Sequence, residues 1–183
     1  MCAFMAIAMV LALFQPVVQP VLEFNRELIS NGQYWRLLTG NFLHTNGWHL
    51  LFNLAGLVLL HLLFGQYYSA RSLLGFTIIN ASSVGLLLYF FSPDIAYYVG
   101  LSGYLHGLFV IGCLSEIDNG IKTSYLLLGA IAAKIYYEQT TGPSAQMSEL
   151  INANVAVDAH LYGAIAALPM FLVYWLYRRS LAR

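Results

Sequence analysis

Long apolar runs separated by short polar stretches dominate this chain, and six of them approach the length of a membrane-crossing helix. Such a helix needs about 20 residues to cross a hydrocarbon core of about 30 Å. The runs extend approximately from Met1 to Val18, His49 to Phe64, Leu73 to Phe91, Ser102 to Leu114, Ser124 to Tyr137 and His160 to Tyr177. The first has no basic flank and no small-x-small cleavage site, so it reads as a retained helix rather than a signal peptide, and its abrupt start leads us to expect a polar tail ahead of it. The fourth is too short. From Ser102 to the polar turn Ser115-Glu116-Ile117-Asp118-Asn119-Gly120, a rise of about 1.5 Å per residue falls short of the core thickness. With that turn at one surface, Ser102 is left below the other, reached by an inward-dipping loop at Ser92-Pro93-Asp94. Irregular backbone at such depth is tolerated only where it packs in protein or lines a wet cavity. The expectation is an all-α membrane protein, one domain over residues 1–183, with six transmembrane helices and a short central helix carrying a serine.

Composition agrees with this pattern. Of the 183 residues 60% are hydrophobic and 9% charged, against roughly 25% charged in soluble domains. Net charge is zero, which argues against a nucleic-acid partner. Cys2 and Cys113 sit in separate apolar stretches without CxxC spacing and read as inert thiols. Arg71, Lys122, Arg178, Arg179 and Arg183 fall on one side of a six-span layout, while Arg26 and Arg36 face the other beside Glu23 and Glu27. By the positive-inside rule both termini are cytoplasmic. The stretches Val21 to Gly47, Ser92 to Leu101 and Gln139 to Ala159 then lie outside.

The chemistry concentrates near that outer side. Ser102 stands between Gly100 and Gly103 in Val99-Gly100-Leu101-Ser102-Gly103-Tyr104-Leu105-His106-Gly107. Taken alone this is a packing motif, since Gly103 with Gly107 and Gly163 with Ala167 let helices four and six approach closely. It is not the GxSxG elbow of soluble hydrolases, because Tyr104 replaces the second glycine. Close approach would, however, bring His160 within hydrogen-bond reach of Ser102, as an activated hydroxyl requires. Asp158 lies two residues earlier, and i,i+2 positions on a helix do not face each other, so the reading is a Ser102–His160 dyad with Asp158 a solvated cap or loop residue. His49 and Asn53 are i,i+4 and share one helix face; both can donate to an oxyanion, with the Ser102 backbone N–H as a third donor. His44 is expected to fasten the preceding loop, and His61 to be a hydrogen-bonded structural residue. No HExxH zinc motif occurs, and no metal or cofactor is expected. Haem ligation by His49, His61, His106 and His160 would leave Asn53 and the glycines unexplained.

Four motifs in order, Trp35-Arg36, HxxxxHxxxN from His44 to Asn53, GLSG from Gly100 to Gly103 and AHxxG from Ala159 to Gly163, resemble the rhomboid intramembrane serine proteases. The resemblance implies a six-helix rhomboid fold, Ser102 as nucleophile, His160 as general base, and His49 with Asn53 in the oxyanion site. Gly100, Gly103, His106, Trp35 and Arg36 would support the site, and the partners would be transmembrane protein substrates in the lipid bilayer. The family's first extramembrane loop falls at Val21 to Gly47, whose Phe24, Tyr34, Trp35 and Phe42 suit an interfacial segment. Two positions depart from the family: His106 replaces a tyrosine or phenylalanine that packs on the histidine, and Ala167 replaces a glycine. The run from Trp35 to Asn53 together with Gly100 to Gly107 is similar to the rhombosortase branch. That likeness implies a bacterial inner-membrane enzyme opening to the periplasmic side and removing carboxy-terminal tails built as Gly-Gly, a transmembrane helix and basic residues. A general rhomboid protease and a non-catalytic rhomboid-like binder of membrane clients are the alternatives; the binder normally lacks the serine or the histidine.

Overall fold

A computed structural model describes residues 2–181, so the expectations for Met1 and Arg183, and for the Cys2 thiol, lie outside the described residues. The architecture is all-α. In order the helices are α1 (Cys2–Leu13), α2 (Gln15–Leu22), α3 (Arg26–Ser30), α4 (Arg36–Thr39), α5 (Gly47–Phe64), α6 (Ala70–Phe91), α7 (Ser102–Asp118), α8 (Ser124–Thr141), α9 (Ala145–Ile151) and α10 (Val157–Leu181). Two-residue strands, β1 (Phe24–Asn25) and β2 (Tyr97–Tyr98), pair antiparallel.

Among the described residues, three segments, Gly47–Tyr67, Ala70–Phe91 and Val157–Ser180, are long and apolar enough to cross a membrane. They correspond to the second, third and sixth runs of the sequence. The fifth run corresponds to α8, which extends past Tyr137 to Thr141 and so holds Glu138 as well as Lys134; α7 begins at Ser102, as expected of the central helix, but its 17 residues carry on through Ser115–Asp118, where the sequence predicts a turn. The first run is not one continuous helix. It breaks at Phe14, because Pro16 in the first turn of α2 has no N–H to continue the ladder, and Pro20 follows inside α2.

Glycines bring α7 and α10 together. A Cβ built on Gly163 would lie 1.8 Å from the Gly103 carbonyl oxygen, and one on Gly107 would lie 2.7 Å from that of Gly163. Asn80 of α6 donates to the Gly163 carbonyl at 2.9 Å, and Ala159 and Ala167 are fully buried. Around this seam a core of Leu57, Phe64, Tyr104, Leu108 and Cys113 forms between α5, α6 and α7. Cys113 is a free, buried thiol, as a packing role requires. Facing outward, α8 exposes Leu126, Tyr136 and Tyr137, and α10 exposes Val173, side chains that suit lipid rather than water.

The loop between α2 and α5 is fastened from below. Arg36 donates to the Pro20 carbonyl at 2.7 Å and that of Glu23 at 2.8 Å, Trp35 Nε1 to Val21 at 3.0 Å, and Thr39 Oγ1 to Leu22 at 2.6 Å. Four successive carbonyls at the end of α2, which no helical N–H can reach, are thereby satisfied. Arg26 does the same for α6, donating to the carbonyls of Leu88, Tyr89, Ser92 and Ile95. Neither arginine forms an ion pair with Glu23 or Glu27; both spend their charge on carbonyl ends. Phe24, expected at the interface, is fully buried and packs edge-on to Tyr98, with centroids 6.4 Å apart.

Candidate active site

Ser102 opens α7, in the first turn where helical N–H groups lack intrahelical partners. The residue before Leu101, Gly100, has φ +133°, which favours glycine; a side chain there would also meet His49 Nε2 at 2.7 Å. Its backbone is pinned on both sides, by its own N–H to the Gly40 carbonyl at 3.2 Å and by the Tyr98 hydroxyl donating to its carbonyl at 2.6 Å. The β1–β2 pair carries Tyr98, so the first loop and the turn into α7 form one support.

Ser102 Oγ lies 3.0 Å from His160 Nε2. His160 is buried in the first turns of α10, and its ring stacks on His106 at 4.1 Å with 14° between planes. Two further residues, not expected from the sequence, join this pair. On the far side of the ring, His160 Nδ1 is 2.9 Å from Glu138 Oε2, and the other carboxylate oxygen accepts from Lys134 Nζ at 2.7 Å. Lys134 Nζ also lies 3.0 Å from His106 Nε2, and His106 Nδ1 lies 2.7 Å from the Ser102 carbonyl. Glu138 and Lys134 had a signal in the sequence: two opposite charges four residues apart in an otherwise apolar segment, where such groups are costly.

Asp158 does not reach His160. Its carboxylate accepts from the Ser92 hydroxyl, which also meets the Tyr162 hydroxyl at 3.0 Å, and it sits half-buried in the first turn of α10, where the helix dipole favours an acid. It is a fastener between α6 and α10, not the solvated residue expected.

His49 and Asn53 are both buried on the face of α5 toward Ser102, and with Ser102 and His160 they line one cleft of about 430 Å³ between α5, α7, α8 and α9. Asn53 Nδ2 is a buried donor with no partner among the described residues. His49 Nδ1 is held by the amide and hydroxyl of Thr45, at 3.3 and 3.1 Å, which turns Nε2 toward Gly100. His44 fastens its loop through the backbone, whose N–H and carbonyl both bond the Gln15 side chain. Its ring is buried edge-on to His49, and burial first, then His49, pulls that imidazole down to about 3. His61 is exposed with its ring folded over Gly65, not set in a hydrogen-bonded pocket. Trp35 and Arg36 lie apart from the cleft, bracing the first loop, whereas Gly103 meets Ala159 across the seam.

His106, Glu138 and His160 place three metal-ligand atoms within 4.8 Å of one another. The two imidazoles lie face to face, however, so their in-plane lone pairs run along parallel planes and do not converge. The Lys134 ammonium already bonds two of the three residues. The cluster is built as a hydrogen-bond network.

A serine, a buried imidazole and a group of unspent donors at one cleft match what hydrolytic chemistry requires, and comparison with known proteins agrees on ancestry. The profile of the Rhomboid domain matches residues 31–177. The chain is 29% identical over 140 residues, 74% of its length, to a protein of Bacillus subtilis (strain 168) named "Putative rhomboid protease YdcA", of which the match spans 64%. With the profile covering every element of the cleft, from the loop before α4 to α10, the chain belongs to the rhomboid family.

Proposed function

We propose that this protein is an intramembrane serine endopeptidase that cleaves membrane-anchored proteins within or near their transmembrane segments. The observation that carries the reading is the 3.0 Å contact between Ser102 Oγ and His160 Nε2 at the floor of an apolar cleft. Ser102 Oγ attacks the scissile carbonyl while His160 Nε2 takes its proton; the same nitrogen then protonates the departing amine, releasing one fragment and leaving an acyl-serine. Water, deprotonated by His160, attacks that ester and frees Ser102. Asn53 Nδ2, His49 and the Ser102 N–H face the carbonyl oxygen and stabilise its negative charge. The positive end of α7 adds to this.

The finer reading is a rhombosortase: an enzyme of the bacterial inner membrane, with both termini cytoplasmic and the cleft opening to the periplasm, removing carboxy-terminal Gly-Gly, transmembrane and basic tails. The departure at His106 within Gly100 to Gly107 supports it. Co-expression with tagged membrane clients, half carrying such tails and half carrying other transmembrane anchors, followed by mass spectrometry of the products, tests both levels. Cuts confined to the tailed clients and lost in Ser102→Ala and His160→Ala support the rhombosortase; cuts in both sets support a general rhomboid protease; cleavage that persists in purified Ser102→Ala refutes the mechanism.

A further inference from the structure

We propose that Glu138 is the positioning acid of this centre and that Lys134 holds it in place, so that Ser102 and His160 work as part of a closed ring of hydrogen bonds. The proposal rests on the serine protease reading and adds to it two residues from α8.

The direction of every bond in the ring follows from which atoms carry protons. A lysine ammonium only donates, so His106 Nε2, 3.0 Å from Lys134 Nζ, presents a lone pair and its proton sits on Nδ1. From there it points at the Ser102 carbonyl, 2.7 Å away, which only accepts. An ionised carboxylate likewise only accepts, so at 2.9 Å Glu138 Oε2 takes the proton of His160 Nδ1. For His160 to serve as the base its Nε2 must be bare, and in that state it receives the Ser102 hydroxyl proton at 3.0 Å. Each bond of the ring then pairs a donor with an acceptor, and the tautomer of His160 is the one that lets it act as a base. With an amide at 138, the ring could turn to put a proton on Nε2 and block the serine.

The pair fits this role better than a structural one. For helix stability the favourable order at i,i+4 is acid before base, and here Lys134 precedes Glu138. Ion pairs beside lipid are costly and are kept chiefly for function. Glu138 is mostly buried, at 17% side-chain exposure, whereas Lys134 at 46% reaches the cleft. When Ser102 attacks and its proton moves to His160 Nε2, the new imidazolium faces Glu138, which stays ionised, while Lys134 balances the carboxylate in the resting state. One face of the imidazolium lies on the His106 ring.

The test uses the full chain in nanodiscs, as wild type and as Glu138→Gln, Glu138→Ala, Lys134→Met and Lys134→Arg. In the resting wild type, proton NMR should show the strongly downfield signal of an imidazole N–H bonded to a carboxylate, and this signal should vanish in Glu138→Gln. With a cleavable transmembrane substrate, Glu138→Gln should lower kcat by about 10²- to 10⁴-fold, the upper value being what loss of the acid costs soluble triads, with little change in KM. Lys134→Met should cost roughly 3- to 10-fold in kcat, and Lys134→Arg should restore most of it, because arginine keeps both bonds. A thermal melt accompanies each variant. Should Glu138→Gln not fold, the lysine pair decides alone: loss in Met with recovery in Arg supports the ring, and full activity in Met overturns the part given to Lys134. Retention of kcat within about two-fold in a folded Glu138→Ala overturns the part given to Glu138. A wild type that cleaves nothing refutes the protease reading, while the downfield signal still tests the ring.

Discussion

Gly163→Ala isolates the contact on which the reacting pair depends. The added Cβ would sit 1.8 Å from the Gly103 carbonyl oxygen, whereas carbon and oxygen rest at about 3.3 Å or more. The two helices must therefore part by roughly 1.5 Å, and because the obstacle is backbone, no side chain can turn aside to relieve it. Ser102 is the neighbour of Gly103, and His160 lies within one turn of Gly163. If even half of the displacement reaches the pair, the 3.0 Å bond stretches past the limit of about 3.5 Å at which it still guides a proton. A misplacement of about 1 Å costs on the order of 10²-fold in turnover, and forcing the core open costs about 1–3 kcal/mol. Both are readable: kcat/KM on a transmembrane substrate, the labelling rate of Ser102 by a fluorophosphonate, and Tm. Gly129→Ala is the control, since nothing lies within 4 Å of that position in α8; it should keep activity and leave Tm unchanged or slightly raised. Gly163→Ala with wild-type labelling and an unshifted Tm would refute the argument that the glycine seam sets the distance.

The remaining predictions probe the donors, the loop and a buried imidazole. Asn53→Ala and His49→Ala should each lower kcat by roughly 10²- to 10³-fold with a smaller effect on KM; normal turnover in both would make these residues structural. Arg36→Lys should lower stability by about 1–3 kcal/mol, because one ammonium cannot span the Pro20 and Glu23 carbonyls that the guanidinium joins, and an unchanged melt would show that the clamp is slack. His44, held near 3 in the folded chain, takes up its proton near 6.5 once unfolded; the unfolded state therefore binds more protons between those values, so stability falls as pH drops from about 6.5. At pH 5 the deficit relative to pH 7.5 should be about 2 kcal/mol, and His44→Phe should remove it when the melts of the two proteins are compared across that range.

How much of this was legible in the sequence follows from the distance over which each feature acts. The helical spacing of His49 and Asn53 and the small residues of α7 and α10 are local patterns, and they place these side chains on facing surfaces without further information. The helix break at Phe14 is also local, carried by Pro16, and the length of the apolar run hides it. Glu138 escapes for another reason: the apolar run of the fifth segment ends at Tyr137, one residue before the carboxylate, although α8 continues to Thr141, and the single charge of Lys134 stands within an otherwise apolar run. The roles of Trp35 and Arg36 were out of reach, since a motif shows that two side chains occur together but not that their acceptors are the carbonyls at Pro20, Val21 and Glu23. The two-residue strands are likewise too short to leave a periodicity.

The ring explains why α8 can be so weakly amphipathic and yet held in register. Most of its surface is exposed, with Leu126, Tyr136 and Tyr137 turned outward, so apolar packing alone gives little reason for a fixed rotation about its axis. Polar bonds supply that reason at both ends: Ser124 meets the Glu116 carboxylate near one, and Lys134 and Glu138 meet α7 and α10 near the other. Polar contacts between helices in lipid are worth only about 0.6–2 kcal/mol each, so the helix is fastened at the cleft by bonds that are individually weak. Geometry at the site and attachment of α8 are therefore one property: a displacement that widened the cleft on the α8 side would first lengthen the Glu138–His160 contact. Loss of Lys134 removes the bond to His106 while leaving the carboxylate on His160, and loss of Glu138 removes the bond to His160 while leaving Lys134 on His106, so kcat should fall further in the second variant than its melt alone would explain.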